Sequence, residues 1–203
     1  MSTTRLLLLG AVRIFQPVHG YLLRRELLSW HVEDWAHVNP GSIYSGLRTL
    51  TRLGLVEEVG DDPVAYRLTM DGETEYQRLL SMALREPAVN DPTRLLAGLC
   101  FMTTLPRAEV REALRARALV LEAMVSGTAS AGRAIEQNRT APASTVELFH
   151  VAGHWLEGER AWVRDICGRI DAGHYRFVGE PGHDSGPVDG RWPPAVRDDG
   201  KDA

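Results

Sequence analysis

Residues 39–72 read NPGSIYSGLRTLTRLGLVEEVGDDPVAYRLTMDG, and they run helix, strand, tight turn, strand and helix start with no spare residue between them. Asn39 carries a side-chain oxygen suited to capping a helix, and Pro40 suits the first helical position because its missing N–H would go unpaired there anyway. Ile43, Leu47, Leu50 and Gly54 recur at spacings of four, three and four, so they share a buried arc, while Ser45, Arg48, Thr49 and Arg52 point away from it. Gly54 ends the helix. Leu55 to Val59 and Val64 to Leu68 alternate as strands about a Gly60-Asp61-Asp62-Pro63 turn, and Thr69 caps a following helix that runs on through Glu75 and Leu79. That order predicts a winged helix.

The outward face of the 40–53 helix offers Ser, Thr and Arg, with small side chains near its start. Such a face suits a DNA major groove, where Arg donates to guanine and small hydroxyls permit close approach. An ordinary amphipathic surface helix has the same periodicity and is the alternative reading of this segment alone.

Upstream, residues 5–15 read as a first helix with Leu6, Leu7, Leu9, Gly10 and Ile14 inside, and residues 21–30 as a second, with Arg24 to Glu26 on its polar side. Between them stands His19-Gly20-Tyr21. Together with Pro40-Gly41-Ser42-Ile43-Tyr44, Leu47, Leu50, Gly54 and Leu55, and with Tyr66-Arg67-Leu68-Thr69 and Gly72, it resembles the motifs of the PadR-type transcriptional regulators over roughly the first 80 residues. The resemblance implies a DNA-binding winged helix, with Ser42, Tyr44, Ser45, Arg48, Thr49, Arg52, Arg24 and Arg67 as the residues facing DNA. It further implies repression rather than activation, and C-terminal helices that dimerise. Where an effector exists, it is expected to be a small hydrophobic or phenolic compound held between the domains or at the dimer interface. The wing departs from the family pattern, since Glu57, Glu58, Asp61 and Asp62 stand where members often carry Arg or Lys. His19 is read as structural, its ring bonding a backbone group while Gly20 admits close packing, because no partner acid lies nearby in sequence.

The 203 residues, 44% of them hydrophobic, suffice for a DNA-binding unit plus a second helical unit. The apolar run from Leu6 is interrupted by Arg13, too short for a signal sequence or a span. Cys100 and Cys167 form no CxxC and fit a reducing cytoplasm. The net charge of −4 runs against the cationic character that DNA affinity needs. Residues 1–86 carry nine Arg, no Lys and eleven Asp or Glu, so any DNA face must be built by sorting cations to one side.

A break at Pro87, Asn90, Asp91 and Pro92 divides an N-terminal unit, 1–86, from a helical unit, 92–172. Within the latter, 93–102 reads as a short helix, Pro106 opens a long one reaching Gln137, and a turn through Pro142 leads to a last helix ending near Ala172. Gly127 and Gly132 are expected to kink or fray the long helix. The last helix has an apolar face around Phe149, Leu156, Val163 and Ile170 that is broader than one neighbour would cover, which implies a homodimer. Trp155, Trp162, Phe101 and Met124 are candidate ligand contacts, with core or dimer packing as the competing role. His150 and His154, four apart, are metal candidates with Glu147, Glu157 or His174 as a third ligand, but the segment His-Val-Ala-Gly-His lacks the acid of a zinc protease. Residues 173–203, rich in Gly, Pro and Asp, read as a disordered tail in which Trp192, beside Pro193 and Pro194, is either an idle aromatic, the default reading, or a contact for a partner.

The expectation is therefore a mostly α protein with a small β-wing: an N-terminal winged helix-turn-helix and a C-terminal all-helical dimerisation domain. It is expected to be cytoplasmic, to need no cofactor, to catalyse nothing, and to bind double-stranded operator DNA and a second copy of itself. A metal-sensing or metal-binding protein using His150 and His154, or an interaction module that does not bind DNA, are the alternatives.

Overall fold

The computed structural model describes residues 3–61, 63–88, 91–139 and 141–183. Helix α1 (Thr3–Phe15) leads through a two-residue strand β1 (Val18–His19) into α2 (Gly20–Ser29), a short α3 (Val32–Ala36) and α4 (Pro40–Arg52). Strands β2 (Val56–Val59) and β3 (Ala65–Leu68) form the wing, and α5 (Met70–Arg85) leaves it. Then come α6 (Thr93–Phe101), the long α7 (Arg107–Asn138) and α8 (Val146–Asp171). The sheet has the order β1-β3-β2, all antiparallel, with Glu57 opposite Arg67 and Glu58 opposite Tyr66. The mostly α class with a β-wing is what the sequence implies; β1 and α3 are too short to have left a periodic signal in it.

Both caps form as the sequence dictates. The Asn39 side chain accepts from the Ser42 amide at 2.9 Å. The end of α4 closes with Leu55 N–H donating to Leu50 O and Gly54 N–H to Thr51 O, each at 3.0 Å, while Gly54 takes φ +70°. This is the Schellman geometry that favours glycine. Thr69 stitches the wing exit: its hydroxyl donates to Gly54 O at 2.6 Å and accepts from Gly72 N–H at 3.0 Å. Gly72 is pressed against the chain there, since a Cβ would stand 1.9 Å from the Leu55 carbonyl oxygen.

Helix α1 is more deeply enclosed than an amphipathic reading allows. Every residue from Leu6 to Val12 is buried, because α4, α5, α6 and β3 all pack around it. Phe101 of α6 lies flat on Gly10, where a Cβ would meet its ring at 2.6 Å, and packs edge-on to Trp30 and Tyr76. One apolar core thus continues from α1 through α6 into α7 and α8, across the break at residues 87–92.

Helices α7 and α8 form a long antiparallel hairpin. The fraying expected at Gly127 and Gly132 does not occur, since the α7 helix continues through both to Asn138. Gly132 is instead a crossing point, its missing Cβ admitting Phe149 of α8 at 3.2 Å. The hairpin is locked to α5 by Arg117, which is 2% exposed. Its guanidinium donates to the carbonyls of Ala83 and Glu86, each at 3.0 Å, and to Glu159 of α8 at 2.6 Å. Burial pulls its pKa down, with Glu159 opposing.

The first part of the expected tail is folded. Phe177 is fully buried, Val178 N–H donates to Thr103 O at 2.9 Å, and Arg107 grips Glu180 through two bonds of 2.6 and 2.8 Å. Arg107 also donates to Tyr175 O at 2.9 Å and stands 4.7 Å over the Phe177 ring. Composition misses this strap because one aromatic anchor and one ion pair suffice to hold it. Residues 184–203, including Trp192, lie outside the described residues.

Candidate nucleic-acid interface

Helix α4 buries Ile43, Leu47 and Leu50 and turns its other side to solvent. Gly46 brings it close to α1, for a Cβ there would meet Leu8 Cδ1 at 2.3 Å. Its polar residues divide into two flanks. Ser42, Ser45 and Thr49 line a depression shared with Thr4, Arg5 and Leu8 of α1. Their hydroxyls donate to carbonyls of the same helix and its cap, Ser42 to Asn39 O at 2.7 Å, Ser45 to Ser42 O at 3.2 Å and Thr49 to Ser45 O at 2.9 Å. They present acceptor lone pairs outward and keep the helix surface low.

Tyr44 and Arg48 occupy the other flank, beside the wing. A Cβ on Gly20 would lie 3.2 Å from the Tyr44 ring and 3.5 Å from that of Tyr66, which is the close approach that Gly20 permits. The Tyr66 phenol is pushed up by burial first and by Glu58 second, with Arg48 pulling it down. His19 holds the junction: its Nδ1 bonds Val64 O at 3.2 Å, and its ring stacks on Tyr21 at 5.9 Å.

The arginines are sorted. Those at 5, 13, 25, 67, 78, 85, 94, 107, 111 and 117 are ion-paired to carboxylates. Arg24, Arg48 and Arg52 are exposed and have no carboxylate within ion-pair distance among the described residues. Arg48 and Arg52 stand one turn apart on the open side of α4. Arg24 lies one turn along α2 from Gly20, against which Tyr44 packs. Arg67 differs from the other DNA-facing candidates, because it is held across the β2–β3 ladder by Glu57 through bonds of 2.9 and 2.7 Å. Its charge is neutralised where it stands. Tyr21, half exposed, and Tyr66 belong to this surface and were passed over in the sequence. Tyr21 shares a helix face with Arg24 at a spacing of three, which is the signal that marks it.

The four ligand candidates do not come together. Phe101 is fully buried in the α1–α5–α6 core, Trp155 is 67% exposed on α8, and Met124 and Trp162 are half-buried. Two grooves run along the α7–α8 hairpin, and none of the four lines either. His150 and His154 line the groove nearer the α7–α8 turn, with His150 Nδ1 3.4 Å from Glu147. Among the described residues no three His, Cys, Asp or Glu side chains are grouped to hold a metal ion. No helix among them is long and apolar enough to cross a membrane.

The chain has a likeness to several solved structures. The chain resembles PadR-like regulators. A PadR-like transcriptional regulator from Bacillus cereus is 15% identical over 84% of this chain and 99% of its own, with a TM-score of 0.35. Bacillus subtilis PadR in complex with p-coumaric acid is 20% identical over 83% of this chain and 99% of its own, with a TM-score of 0.35. The same protein in complex with operator DNA is 20% identical over 82% and 98%, with a TM-score of 0.33. No family model and no curated protein sequence matches the chain.

Proposed function

We propose that this chain is a sequence-specific DNA-binding transcriptional regulator, a repressor, which acts as a homodimer on a palindromic operator. The observation that carries the reading is the sorting of cations: in a slightly acidic winged helix, Arg48 and Arg52 lie without carboxylate partners on the open side of the capped helix between the core and the wing. That helix enters the major groove, with Arg48 reading a base edge and Ser42, Ser45 and Thr49 allowing the backbone to come close. Tyr44 and Arg24 flank the groove and meet phosphates. The wing, with Glu57 and Glu58 exposed and Arg67 already engaged, stays off the DNA.

Self-association is supported by Leu148, Val151 and Trp155, which are 69, 45 and 67% exposed on one side of α8. A patch of that kind calls for a partner. A two-fold dimer places two recognition helices about one helical turn, roughly 34 Å, apart. A small hydrophobic or phenolic effector, as the sequence motifs imply, releases the protein by changing that spacing; a coupling of about 1 to 3 kcal/mol shifts operator affinity roughly 5- to 150-fold.

The test is binding of purified protein to the DNA upstream of its own coding region, against a scrambled duplex of equal length. Selective binding is expected. Arg48→Ala is expected to cost about 1 to 3 kcal/mol and to relax selectivity at one base position, whereas Arg67→Ala leaves affinity nearly unchanged. Equal affinity for both duplexes at low salt refutes the reading.

A further inference from the structure

The same census of arginines points to a second place on the molecule. Arg115 of α7 and Arg160 and Arg164 of α8 line one groove, and none of the three has a carboxylate within ion-pair distance among the described residues. The groove has a volume of about 700 Å³ and a floor of Leu114, Ala118 and Val163. Leu114 and Val163 are buried, and Arg160 is itself half-buried. Cys167 completes the floor, and burial pushes its thiol up, so it stays neutral and apolar at neutral pH. Glu122 is the sole acid in the lining, and it pairs with none of the three arginines.

Along the same hairpin Arg107, Arg111 and Arg117 are each answered by a carboxylate. Three guanidinium groups left unanswered around an apolar floor describe a ligand with one anionic end and one apolar end. We infer that this α7–α8 groove binds an amphipathic organic anion, its carboxylate held by Arg160, Arg164 and Arg115 and its apolar body laid on Leu114, Ala118 and Val163. The volume lies in the range of small-molecule sites, about 300–1,000 Å³, and planar guanidinium forks suit a carboxylate. A second copy of the chain is a poor occupant, since a two-fold axis through the groove would set the arginine cluster against its own image. The exposed apolar side of α8 at Leu148, Val151 and Trp155 has no arginine cluster of this kind and serves self-association better.

The inference does not depend on DNA binding, so its test needs no DNA. Decanoate is titrated into the full chain by calorimetry beside decanol, which has the same apolar body without the charge. Saturable binding of one decanoate per chain, clearly tighter than decanol, is expected. Replacing two charge-assisted partners in Arg160→Gln/Arg164→Gln is expected to weaken it at least about tenfold while the circular dichroism and melting temperature stay those of the parent. Because those side chains lie at the rim, Leu119→Glu, at the same rim and 69% exposed in the parent, provides a second variant that repels the anion without removing an arginine. Equal binding of decanoate and decanol, no saturable binding, or unchanged decanoate affinity in both variants overturns the inference. So does a dimer that Leu119→Glu dissociates, because the groove would then be covered by a second copy.

Discussion

At single residues, the sharpest constraints in this fold are close approaches. Gly72 stands where the wing rejoins α5, and a methyl group there would overlap the Leu55 carbonyl oxygen. That oxygen also accepts the Thr69 N–H at 3.2 Å, so relief requires moving the backbone on which the wing is hung. Gly72→Ala is expected to destabilise the protein by about 1 to 3 kcal/mol, the usual cost of overpacking. A urea denaturation series checks it: a midpoint equal to that of the parent refutes the close approach. Gly54→Ala tests a different effect, because nothing lies within 4 Å of its Cβ position and the strain there comes from φ +70° alone. The sequence marks both glycines, Gly54 as a helix stop and Gly72 as part of a motif, but it does not distinguish steric from conformational need.

At the scale of elements, α4, the wing and α5 were readable in the sequence because each announces itself twice, by periodicity and by a cap. Asn39 and Thr69 cap where they should, and the α4 core positions fall inside. What the sequence concealed is contact between elements distant in the chain: Phe101 over Gly10, Phe149 over Gly132, and Arg117 under the end of α5. The last is the strongest of these joints. Arg117 reads as one more surface arginine on a helix rich in them, yet it satisfies the carbonyls of Ala83, Leu84 and Glu86 at the C-terminus of α5 while pairing with Glu159. Removing it leaves the end of α5 uncapped and Glu159 without its partner. Arg117→Ala is expected to cost about 3 to 5 kcal/mol, as for other buried pairs broken on one side. Glu159→Gln is expected to cost less, because the amide oxygen can still accept from the guanidinium. Thermal unfolding of both variants checks the order, and the reverse order would place the joint's strength in the charge on α8 instead of the cap on α5. The strap at 173–183 is a second joint with a pH signature. Hydrogen bonds from Arg107, then from the Phe177 amide, hold the Glu180 carboxyl down to about 2, well below its ordinary 4.5. A carboxyl depressed in the folded state contributes stability above its unfolded pKa and loses it as pH falls through the folded one. The strap is therefore expected to loosen between about pH 4.5 and pH 2, with Glu180→Gln removing that pH dependence. Chemical shifts of the Phe177 and Val178 amides followed through this range report it directly; shifts that titrate identically in the variant refute it.

For the whole molecule, the difficulty is charge: a chain of net charge −4 is proposed to hold a polyanion. Geometry answers this within residues 1–86, where six of the nine arginines are neutralised by carboxylates within 4.0 Å and Arg24, Arg48 and Arg52 are not. Only cations of the second kind can exchange condensed counterions for protein contacts without first breaking an ion pair. With Arg48 on a base edge, Arg24 and Arg52 are left to meet phosphates, which gives four such contacts in a two-fold dimer. With a slope of about −0.9 per neutralised phosphate, the logarithm of the operator association constant should fall against the logarithm of salt concentration with a slope near −3.6. Arg52→Ala removes one phosphate contact from each half and should bring the slope to about −1.8, whereas Arg67→Ala, whose guanidinium is occupied by Glu57 on the wing, should leave it where it was. Fluorescence anisotropy on a labelled operator duplex from 50 to 300 mM salt measures all three proteins. A slope near zero in the parent would mean that the sorted arginines do not meet phosphates. A slope that Arg67→Ala flattens as much as Arg52→Ala does would mean that the wing lies on the DNA after all, with the Glu57 pair broken on binding.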